Sequence, residues 1–516
     1  MDRLINRNDQ RELDRQFSER TGLPPIVLME QAAAGLTGLI GSLLDSCGDY
    51  EGELDVLIMA GPGNNGGDGW AAARQLLAAG YRVLVYDVSG PGEPTGDAAL
   101  NRQAYLALGG SAIGSLADLG EEEPLLVVDA LYGTGFKEGR EVPPAMADAF
   151  SVLALLKDRG SLILACDLPS GLDADTGQPA RQTVAADFTA SFGRKKIGLV
   201  THPGLLYAGE VFDFPLGMTD SFADQVLSDQ PKVLALDAET AGFPEAKPAD
   251  GHKGQFGRVL LIGGAPGMAG ALILAARAAE KMGVGYTMVR APEESLGILA
   301  AAIPSALLSA VPEEGAETRR DLPDPDVFAI GPGAGGSPWV QKALRHLLRQ
   351  PQPLIIDADG LNALAQMPDG HDLLRNRSKE GFQPAVLTPH PGEFIRLAPD
   401  LADLMQQNRL EATRRYADRT ESILVLKGMA TVIAFPNGDS WINTSGNVGL
   451  AKGGSGDVLT GMMAGLAAGP GSLADAVRLA VYLHGLAADQ AACRLGSEIL
   501  VTPTDLIDSL GQALLC

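Results

Sequence analysis

The chain has 516 residues, which excludes a small module and leaves room for several domains of roughly 100–200 residues each. Apolar residues make up 46% and charged residues 20%, a composition that excludes a disordered chain. Lysine and arginine total 40 against 64 aspartate and glutamate residues, and the net charge of −24 excludes non-specific binding to nucleic acid or anionic membranes, which requires a basic surface. The charged N-terminus has no apolar signal segment, and no uninterrupted apolar run reaches the ~18 residues that span a membrane, so we expect a cytoplasmic protein with neither nucleic-acid nor membrane partners.

In the first half of the chain, short runs of Val, Ile and Leu alternate with helical stretches. Residues 8–45 predict one or two helices, and residues 70–80 predict another. The predicted strands are 55–61, 82–87, 125–131 and 162–168. Continuous apolar strands of this kind are typical of a parallel sheet covered on both faces. We therefore expect a Rossmann-like three-layer α/β/α domain over residues 1–216.

The periodicity weakens over residues 217–231, which we expect to be a linker. The strands predicted after it are 257–264, 285–292, 327–333, 353–361, 385–393 and 422–428. A hairpin with Asn437 and Gly438 at its turn follows, and two helices, 457–468 and 473–494, close the chain. Because the two halves share no residue-level repeat, we expect residues 232–516 to form a second, different α/β domain.

The clearest motif of the first half is AGPGNNGGDGW, residues 60–70, between a predicted strand and a predicted helix. Glycines in such a segment let a ligand approach the backbone, whose N–H groups at a helix N-terminus attract anions. The segment lacks the Gly-Lys-Ser/Thr of a phosphate-binding P-loop and differs from G-x-G-x-x-G. A tight turn without a ligand is the alternative interpretation.

Polar residues follow two of the predicted strands, at the edge where parallel sheets bind ligands. The side chains of Asn65, Asp129 and Ser170 offer oxygen ligands for a monovalent or divalent cation. Asp167 is the candidate general acid–base. The alternative is that both aspartates only cap loops, as in Asx-turns.

The motifs GPGNNGGDG, DALYGTGF and DLPSGLDADTG resemble the NAD(P)H-hydrate epimerase family, over about residues 10–215. The resemblance implies K⁺ at Asn65, Asp129 and Ser170, and Asp167 as the acid–base for inversion at C6 of the hydrated nicotinamide. Gln31 stands where the family usually has Asn. The implied substrate-binding residues are Asn64, Asn65, Gly66, Gly67, Asp68, Gly133, Thr134, Gly135, Phe136, Lys137, Glu138, Gly139 and Asp167.

In the second half, NVGLAKGGSGDVLTGMMAGL, residues 447–466, predicts a glycine-rich loop that runs into a helix near Asp457. Loop N–H groups and the positive helix end stabilise a transferring phosphoryl group, and Asp457 is placed to take a proton from a hydroxyl. The segment resembles the catalytic loop of ribokinase-like kinases, and we expect a ribokinase-like α/β domain here.

Together with HKGQFGRVLLIGGAPGMAGA, AIGPGAGG, IIDADGLNAL, TPHPGEF and VLKGMATVI, this loop resembles the ADP/ATP-dependent NAD(P)H-hydrate dehydratase family, over about residues 232–516. The resemblance implies that Ala271, Gly335 and His390 hold the dinucleotide and that Asp457 is the catalytic base. Mg²⁺ is expected for the phosphoryl step. The residues implied for ADP are Lys427, Gly428, Met429, Ala430, Thr431 and Gly456.

Several of these residues have simpler interpretations. His390 could be a satisfied loop or core histidine, and Lys427 a solvated surface lysine. Asp359 is as easily a structural residue at a strand end as a neighbour of the ligand.

The two resemblances together predict an isomerase and a lyase on one chain. The first domain would interconvert the R and S epimers of hydrated NADH and NADPH, and the second would dehydrate the S form at the expense of ADP, giving AMP and phosphate. The family tends to form dimers or tetramers, so a homo-oligomer is expected. The alternative function is a small-molecule alcohol kinase fused to a non-catalytic dinucleotide-binding module.

Overall fold

The computed structural model describes residues 3–47, 54–89, 95–119, 123–137, 139, 142–242, 250–312 and 322–514. The chain divides into two compact units, Met1–Gln230 and Pro231–Cys516.

The first unit is built on seven parallel strands, counted within the described residues. The strands are β1 Val56–Ala60, β2 Val83–Asp87, β3 Ser111–Ile113, β4 Leu126–Ala130, β5 Leu162–Cys166, β6 Phe188–Phe192 and β7 Glu210–Phe214. The helices are α1 Arg7–Thr21, α2 Ile26–Ser46, α3 Asn64–Ala78, α4 Gly96–Ala107, α5 Pro144–Asp158, α6 Ile197–Val200, α7 Leu205–Ala208 and α8 Asp220–Val226. The strand order is β3-β2-β1-β4-β5-β6-β7.

Strand β1 shows why this sheet is buried on both faces. All five of its residues are buried, and successive side chains of a strand point to opposite faces. Val56 and Ile58 belong to a core that contains residues of α1, α2 and α3, whereas Leu57 and Met59 belong to a second core with residues of α5. The continuous apolar strands therefore form the covered parallel sheet that the sequence predicts.

Helix α2 is the one helix of the described residues that is long and apolar enough, by length and composition, to cross a membrane. Its side chains Ala33, Leu36 and Ile40 are buried in the core on one face of the sheet. This packing is that of a core helix in an α/β unit.

Two segments of the first unit differ from the sequence-based expectation. The glycine motif is helical, because α3 begins at Asn64, six residues earlier than predicted. Gly66 lets the first turn of α3 pack against the loop after β1, since a Cβ at this position would lie 1.9 Å from the Gly61 carbonyl oxygen. The segment 217–231 contains α8, whose Ala223 lies in the core of the first unit together with Leu227.

The second unit has a ten-stranded mixed sheet, again within the described residues. Its strands are β8 Val233–Leu236, β9 Arg258–Ile262, β10 Tyr286–Ala291, β11 Leu307–Ala310, β12 Val327–Ile330, β13 Leu354–Ile356, β14 Val386–Leu387, β15 Ile423–Leu426, β16 Thr431–Ala434 and β17 Ser440–Asn443. The strand order is β11-β10-β9-β12-β13-β14-β15-β16-β17-β8. Neighbours from β11 to β15 are parallel, as are β17 and β8.

The predicted hairpin is confirmed, because β16 pairs with both β15 and β17 in antiparallel fashion and Gly438 has a φ of 89°. The helices of this unit are α9 Ala238–Ala241, α10 Ala269–Lys281, α11 Glu293–Ala302, α12 Pro338–Leu347, α13 Ala358–Ala365, α14 Gly370–Lys379, α15 Pro391–Leu397, α16 Ala402–Gln407, α17 Arg409–Thr420, α18 Ser455–Ala467, α19 Leu473–Leu495 and α20 Pro503–Ala513. Three helices, not the two predicted, close the chain. Helix α18 packs so tightly on α10 that a Cβ at Gly461 would lie 2.0 Å from the Ala275 carbonyl oxygen.

Candidate active sites

A cavity of about 540 Å³ lies in the first unit, where the carboxyl ends of β1, β4 and β5 meet helices α1, α2 and α3. The predicted substrate residues that line it are Asn64, Asn65, Asp68, Gly133, Thr134, Gly135 and Asp167. Of the other predicted residues, Gly66, Gly67 and Phe136 are buried, Lys137 and Gly139 are exposed, and Glu138 lies outside the described residues.

Asp167 is held in the cavity wall by its backbone and by a lysine that the motifs did not indicate. Its φ of 69° is in the left-handed region, which is uncommon for a residue other than glycine. Its Oδ1 accepts hydrogen bonds from the Lys196 ammonium and from the Phe192 N–H, the latter at 3.2 Å. The Lys196 side chain is 0% exposed and also donates to the Phe192 carbonyl oxygen at 2.5 Å. The charged cluster therefore fixes Oδ1 of Asp167.

Gly133 brings Asn65 and Asp167 together. A Cβ at Gly133 would lie 2.9 Å from Oδ1 of Asn65 and 3.3 Å from Oδ2 of Asp167. Glycine is therefore required for this close approach, and Oδ2 is the Asp167 oxygen that faces the loop after β4.

Two of the predicted cation ligands, Asp129 and Ser170, form a buried pair. The Ser170 hydroxyl donates to Oδ1 of Asp129 at 2.5 Å, and the Ser170 N–H donates to Oδ2 at 2.8 Å. Burial raises the pKa of Asp129 to about 6, although the Ser170 hydrogen bonds lower it. The third predicted ligand, Asn65, is buried, and its Nδ2 has no hydrogen-bond partner among the described residues.

Three more carboxyl groups line the cavity, those of Asp14, Asp68 and Asp97. Burial raises the pKa of Asp68 well above its usual range, and the neighbouring Asp167 adds to the effect. Burial also raises the pKa of Asp14 to about 6, while a hydrogen bond from Gln10 lowers it. Asp14 lies on α1, outside all three motifs of this half.

The second unit places Asp457 in the first turn of α18, directly after the loop with Gly454 at a φ of 101°. Burial raises the pKa of Asp457 to about 7, and the charge of Asp357 raises it further, while Lys427 lowers it. A carboxyl group with a pKa near neutrality can act as a base at neutral pH.

Asp357 organises the surroundings of Asp457, whereas the sequence left Asp359 as either a structural residue or a neighbour of the ligand. Lys427 donates from Nζ to Oδ1 of Asp357 at 2.6 Å. The hydroxyl of Thr388 donates to the same oxygen at 2.8 Å, and that of Thr460 donates to Oδ2 at 2.7 Å. Burial lowers the pKa of Lys427, but the charges of Asp357, Glu393 and Asp457 and the hydrogen bond to Asp357 together leave the pKa raised.

The predicted nucleotide residues 427–431 form the turn between β15 and β16. Gly428 has a φ of 139° and Ala430 a φ of 54°. The Arg409 guanidinium holds this turn by donating to the carbonyl oxygens of Lys427 at 3.2 Å and Met429 at 3.4 Å. The sixth predicted residue, Gly456, adjoins the turn, since a Cβ there would lie 3.2 Å from Nζ of Lys427. Lys427 is therefore not a solvated surface lysine.

The three residues predicted to hold the dinucleotide lie on separate elements. Ala271 is on α10 beside Gly333, where a Cβ would approach the Ala271 Cβ to 3.1 Å. The Gly335 N–H donates to Oδ2 of Asp359 at 2.8 Å, so Asp359 shapes this loop. The His390 side chain is 53% exposed and caps α15 through Nδ1, which excludes a buried core histidine.

Two family profiles match the chain. The profile described as YjeF-related protein N-terminus matches residues 25–198, and the profile described as NAD(P)H-hydrate dehydratase matches residues 259–512.

Curated relatives extend over nearly the whole chain. The bifunctional NAD(P)H-hydrate repair enzyme Nnr of Moorella thermoacetica is 37% identical, covering 99% of this chain and 96% of that protein. The enzyme of the same name from Escherichia coli strain K12 is 32% identical, covering 98% of this chain and 92% of that protein. A solved structure, the ADP/ATP-dependent NAD(P)H-hydrate dehydratase from Bacillus subtilis co-crystallised with ATP and Mg²⁺, is 34% identical with a TM-score of 0.47, covering 53% of this chain and 94% of that one.

The two sheets confirm the expected α/β fold class in both halves, and one family profile matches each half. The comparisons do not favour an alcohol kinase fused to a non-catalytic module, because the full-length relatives combine both repair domains. The chain therefore belongs to the family of bifunctional NAD(P)H-hydrate repair enzymes, which join an epimerase to a dehydratase.

Proposed function

We propose that Asp167 carries the epimerisation in the first unit and Asp457 the dehydration in the second. Hydrated NADH and NADPH are the substrates, present as R and S epimers at the C6 hydroxyl. The observation that carries this assignment is that Asp167 lines the cavity of the first unit beside the buried Lys196, and that Asp457 begins α18 near the ion pair of Lys427 with Asp357.

In the first unit, the hydrated nicotinamide occupies the cavity. The N–H groups at the start of α3 bind the dinucleotide phosphates, as helix N-termini bind anions. Gly133, Thr134 and Gly135 in the loop after β4 contact the substrate, and Asp167 moves a proton through Oδ2, since Oδ1 is occupied by Lys196. Asn64, Asn65 and Asp68 orient the nicotinamide end.

The donor set formed by Asn65, Asp129 and Ser170 fits K⁺, because all three side chains offer oxygen atoms and the buried Asp129 carboxyl group can supply a negative charge. K⁺ bound there would supply a fixed positive charge beside the substrate. Asp129 and Ser170 would hold the ion through oxygens that retain lone pairs beyond their mutual hydrogen bonds.

In the second unit, the S epimer is held by Ala271, Gly335 and His390. Hydroxide is a poor leaving group at neutral pH, whereas the phosphate of a phosphate ester is a good one. Asp457 takes the proton of the C6 hydroxyl as its oxygen attacks the β-phosphorus of ADP, and AMP departs. Phosphate then leaves C6 as a proton leaves C5, which restores the C5–C6 double bond.

The ADP lies against the turn formed by Lys427, Gly428, Met429, Ala430 and Thr431, and against Gly456. The N–H groups at the start of α18 stabilise the charge that develops on the transferring phosphoryl group. Mg²⁺ held by the nucleotide phosphates would neutralise their charge during the transfer.

The test is an absorbance assay on a fresh mixture of both NADH-hydrate epimers with ADP, Mg²⁺ and K⁺, following recovery of the reduced-nicotinamide band. Rapid and complete recovery is expected, because the epimerase supplies S substrate as the dehydratase consumes it. A fast phase that stops at the S fraction would leave the first unit without its activity. Absence of recovery with ADP and with ATP would reject the dehydratase assignment.

We further propose that the protein is a cytoplasmic dimer or tetramer, without nucleic-acid or membrane partners. The strongly acidic composition supports the second part. Sedimentation velocity measures the oligomeric state, and a monomer at micromolar concentration would contradict the first part.

A further inference from the structure

The wall of the epimerase cavity contains a carboxyl group that belongs to none of the motifs. Asp14 lies on α1, and the family profile of the first unit begins only at residue 25. Asp14 nevertheless lines the same cavity as Asp167.

Backbone contacts explain how α1 brings Asp14 to this place. The Ile5 N–H donates to the Lys195 carbonyl oxygen at 3.1 Å, and the Ile197 N–H donates to the Ile5 carbonyl oxygen at 3.0 Å. These bonds attach Ile5, two residues before α1, directly to the segment that carries Lys196. Leu13 on α1 is fully buried in the adjoining core, so the face with Asp14 has a fixed orientation.

Asp14 and Asp167 have different partners. Oδ1 of Asp14 accepts a hydrogen bond from the neutral amide of Gln10 at 2.7 Å, whereas Oδ1 of Asp167 accepts one from the Lys196 ammonium. An ammonium partner favours the ionised form of a carboxyl group more than an amide does. Burial raises the pKa of Asp14 to about 6, which favours a protonated Asp14. The other charged groups that line this cavity are Arg11, Asp68, Asp97 and Lys196. Lys196 lowers the pKa of Asp14, whereas the charge of Asp167 raises it.

We propose that Asp14 is the second acid–base residue of the epimerase cavity, acting on C6 from α1 while Asp167 acts from the end of β5. The proposal rests on the proposed epimerase function. Inversion at a carbon that bears a hydroxyl requires one group to release the hydroxyl and another to deliver water to the opposite face.

In one direction of the reaction, Asp14 donates the first proton. The C6–O bond breaks as Asp14 gives its proton to the hydroxyl, which leaves as water, and the N1 lone pair forms an N1–C6 double bond. Water then adds to the opposite face of C6 and gives a proton to Asp167. In the reverse direction the two carboxyl groups exchange roles, and solvent returns the proton between turnovers.

The experiment measures interconversion of the purified S and R epimers without ADP, in both directions, by chromatographic separation. We expect Asp14→Asn to lower kcat by about 10²-fold or more with little change in KM, the usual size of a general acid–base contribution. In the direction in which Asp14 donates, the wild-type rate falls as pH rises past its pKa, and Asp14→Asn loses this decline. Asp14→Glu, which keeps the carboxyl group, should recover part of the rate.

Glu19→Gln is the matched control, because Glu19 is an exposed carboxylate on the same helix. Dehydration of the S epimer with ADP, measured on each variant, reports that the chain is folded. If Asp14→Asn keeps the wild-type kcat and pH profile while Asp167→Asn is inactive, the role of Asp14 is refuted and the epimerase function stands. If Asp167→Asn is also active, the assignment of this cavity fails with it.

Discussion

The two units place a lysine near their proposed catalytic carboxylate in different ways. In the first unit, Lys196 bonds directly to Asp167. In the second, Lys427 bonds to Asp357, and Asp457 lies at the start of α18 with a pKa raised to about 7 by burial and by the charge of Asp357. Lys196 therefore fixes the proposed acid–base Asp167 directly. Lys427 instead pairs with Asp357, which lies near the proposed base Asp457.

The difference suits the two reactions. An epimerase has to return its carboxyl group to the same position after a proton transfer in either direction, so a fixed oxygen is an advantage. A base for phosphoryl transfer has to accept a proton near neutral pH, and a direct ammonium partner would make it a weaker base.

The largest effect is expected for Asp457→Asn, which should abolish the activity of the second unit and leave the activity of the first unit intact. Dehydration should fall by about 10²–10⁴-fold, because the amide cannot take the hydroxyl proton. Epimerisation of the S form without ADP should keep its wild-type rate. A variant that dehydrates at more than a tenth of the wild-type rate would show that another group is the base.

Lys196→Met tests the direct pairing in the first unit. Removing one partner of a buried ion pair leaves the Asp167 charge uncompensated, at a cost of about 3–5 kcal/mol in the free energy of unfolding. Epimerisation should fall by about 10²-fold, since Asp167 loses its fixed position. Thermal unfolding and the ADP-free assay measure the two effects.

The double variant Lys196→Met with Asp167→Asn is the control for this pair. It should regain part of the lost stability, because no charge is left buried, and it should remain inactive as an epimerase. Equal stability of the single and double variants would contradict the pairing.

Gly133→Ala tests the close approach of Asn65 and Asp167 in the first unit. A Cβ 2.9 Å from the Asn65 amide oxygen must displace that side chain, so epimerisation should fall about 10-fold while dehydration is unchanged. Gly114→Ala is the control in the same unit, because a Cβ there meets nothing within 4 Å and Gly114 is not part of the cavity lining. Equal rates for the two variants would argue against this contact.

The smallest effect is expected for Asp357→Asn, and it is a change in pH dependence. Wild-type dehydration should decline as pH falls below about 7, because protonation removes the base. Asp357 raises the pKa of Asp457, so its neutralisation should move this decline to lower pH by about one unit. Asp369→Asn, at an exposed ion pair with Arg345, should leave the profile unchanged, and an unshifted profile in Asp357→Asn would contradict the coupling.

The sequence predicted the strands that form the centres of both sheets, because a strand buried on both faces needs a continuous apolar run. Strands β6 and β7 escaped prediction, since residues such as Thr189, Ser191 and Asp213 interrupt their apolar character. Within strand β6, the hydroxyl of Thr189 donates a hydrogen bond to the Ala208 carbonyl oxygen, 19 positions along the chain, at 2.6 Å.

The glycine motifs and the two catalytic candidates were also readable from the sequence, because glycine and a carboxylate at the end of a strand or the start of a helix are local features. The role of Asp357 could not be predicted from such local features. Its bonds to Thr388, Lys427 and Thr460 join residues 31 to 103 positions apart in the chain.

The sequence by itself determined the two α/β units, the order of their motifs and the side chains with the chemistry for acid–base and phosphoryl-transfer reactions. Only the tertiary structure decided which lysine pairs with which aspartate, and that helix α1 brings Asp14 into the cavity. The physical reason is that a side chain's partners depend on strand order and helix packing, which bring together residues far apart in the chain. The protonation of a carboxyl group follows from those partners and from burial, and neither is encoded in the residues beside it.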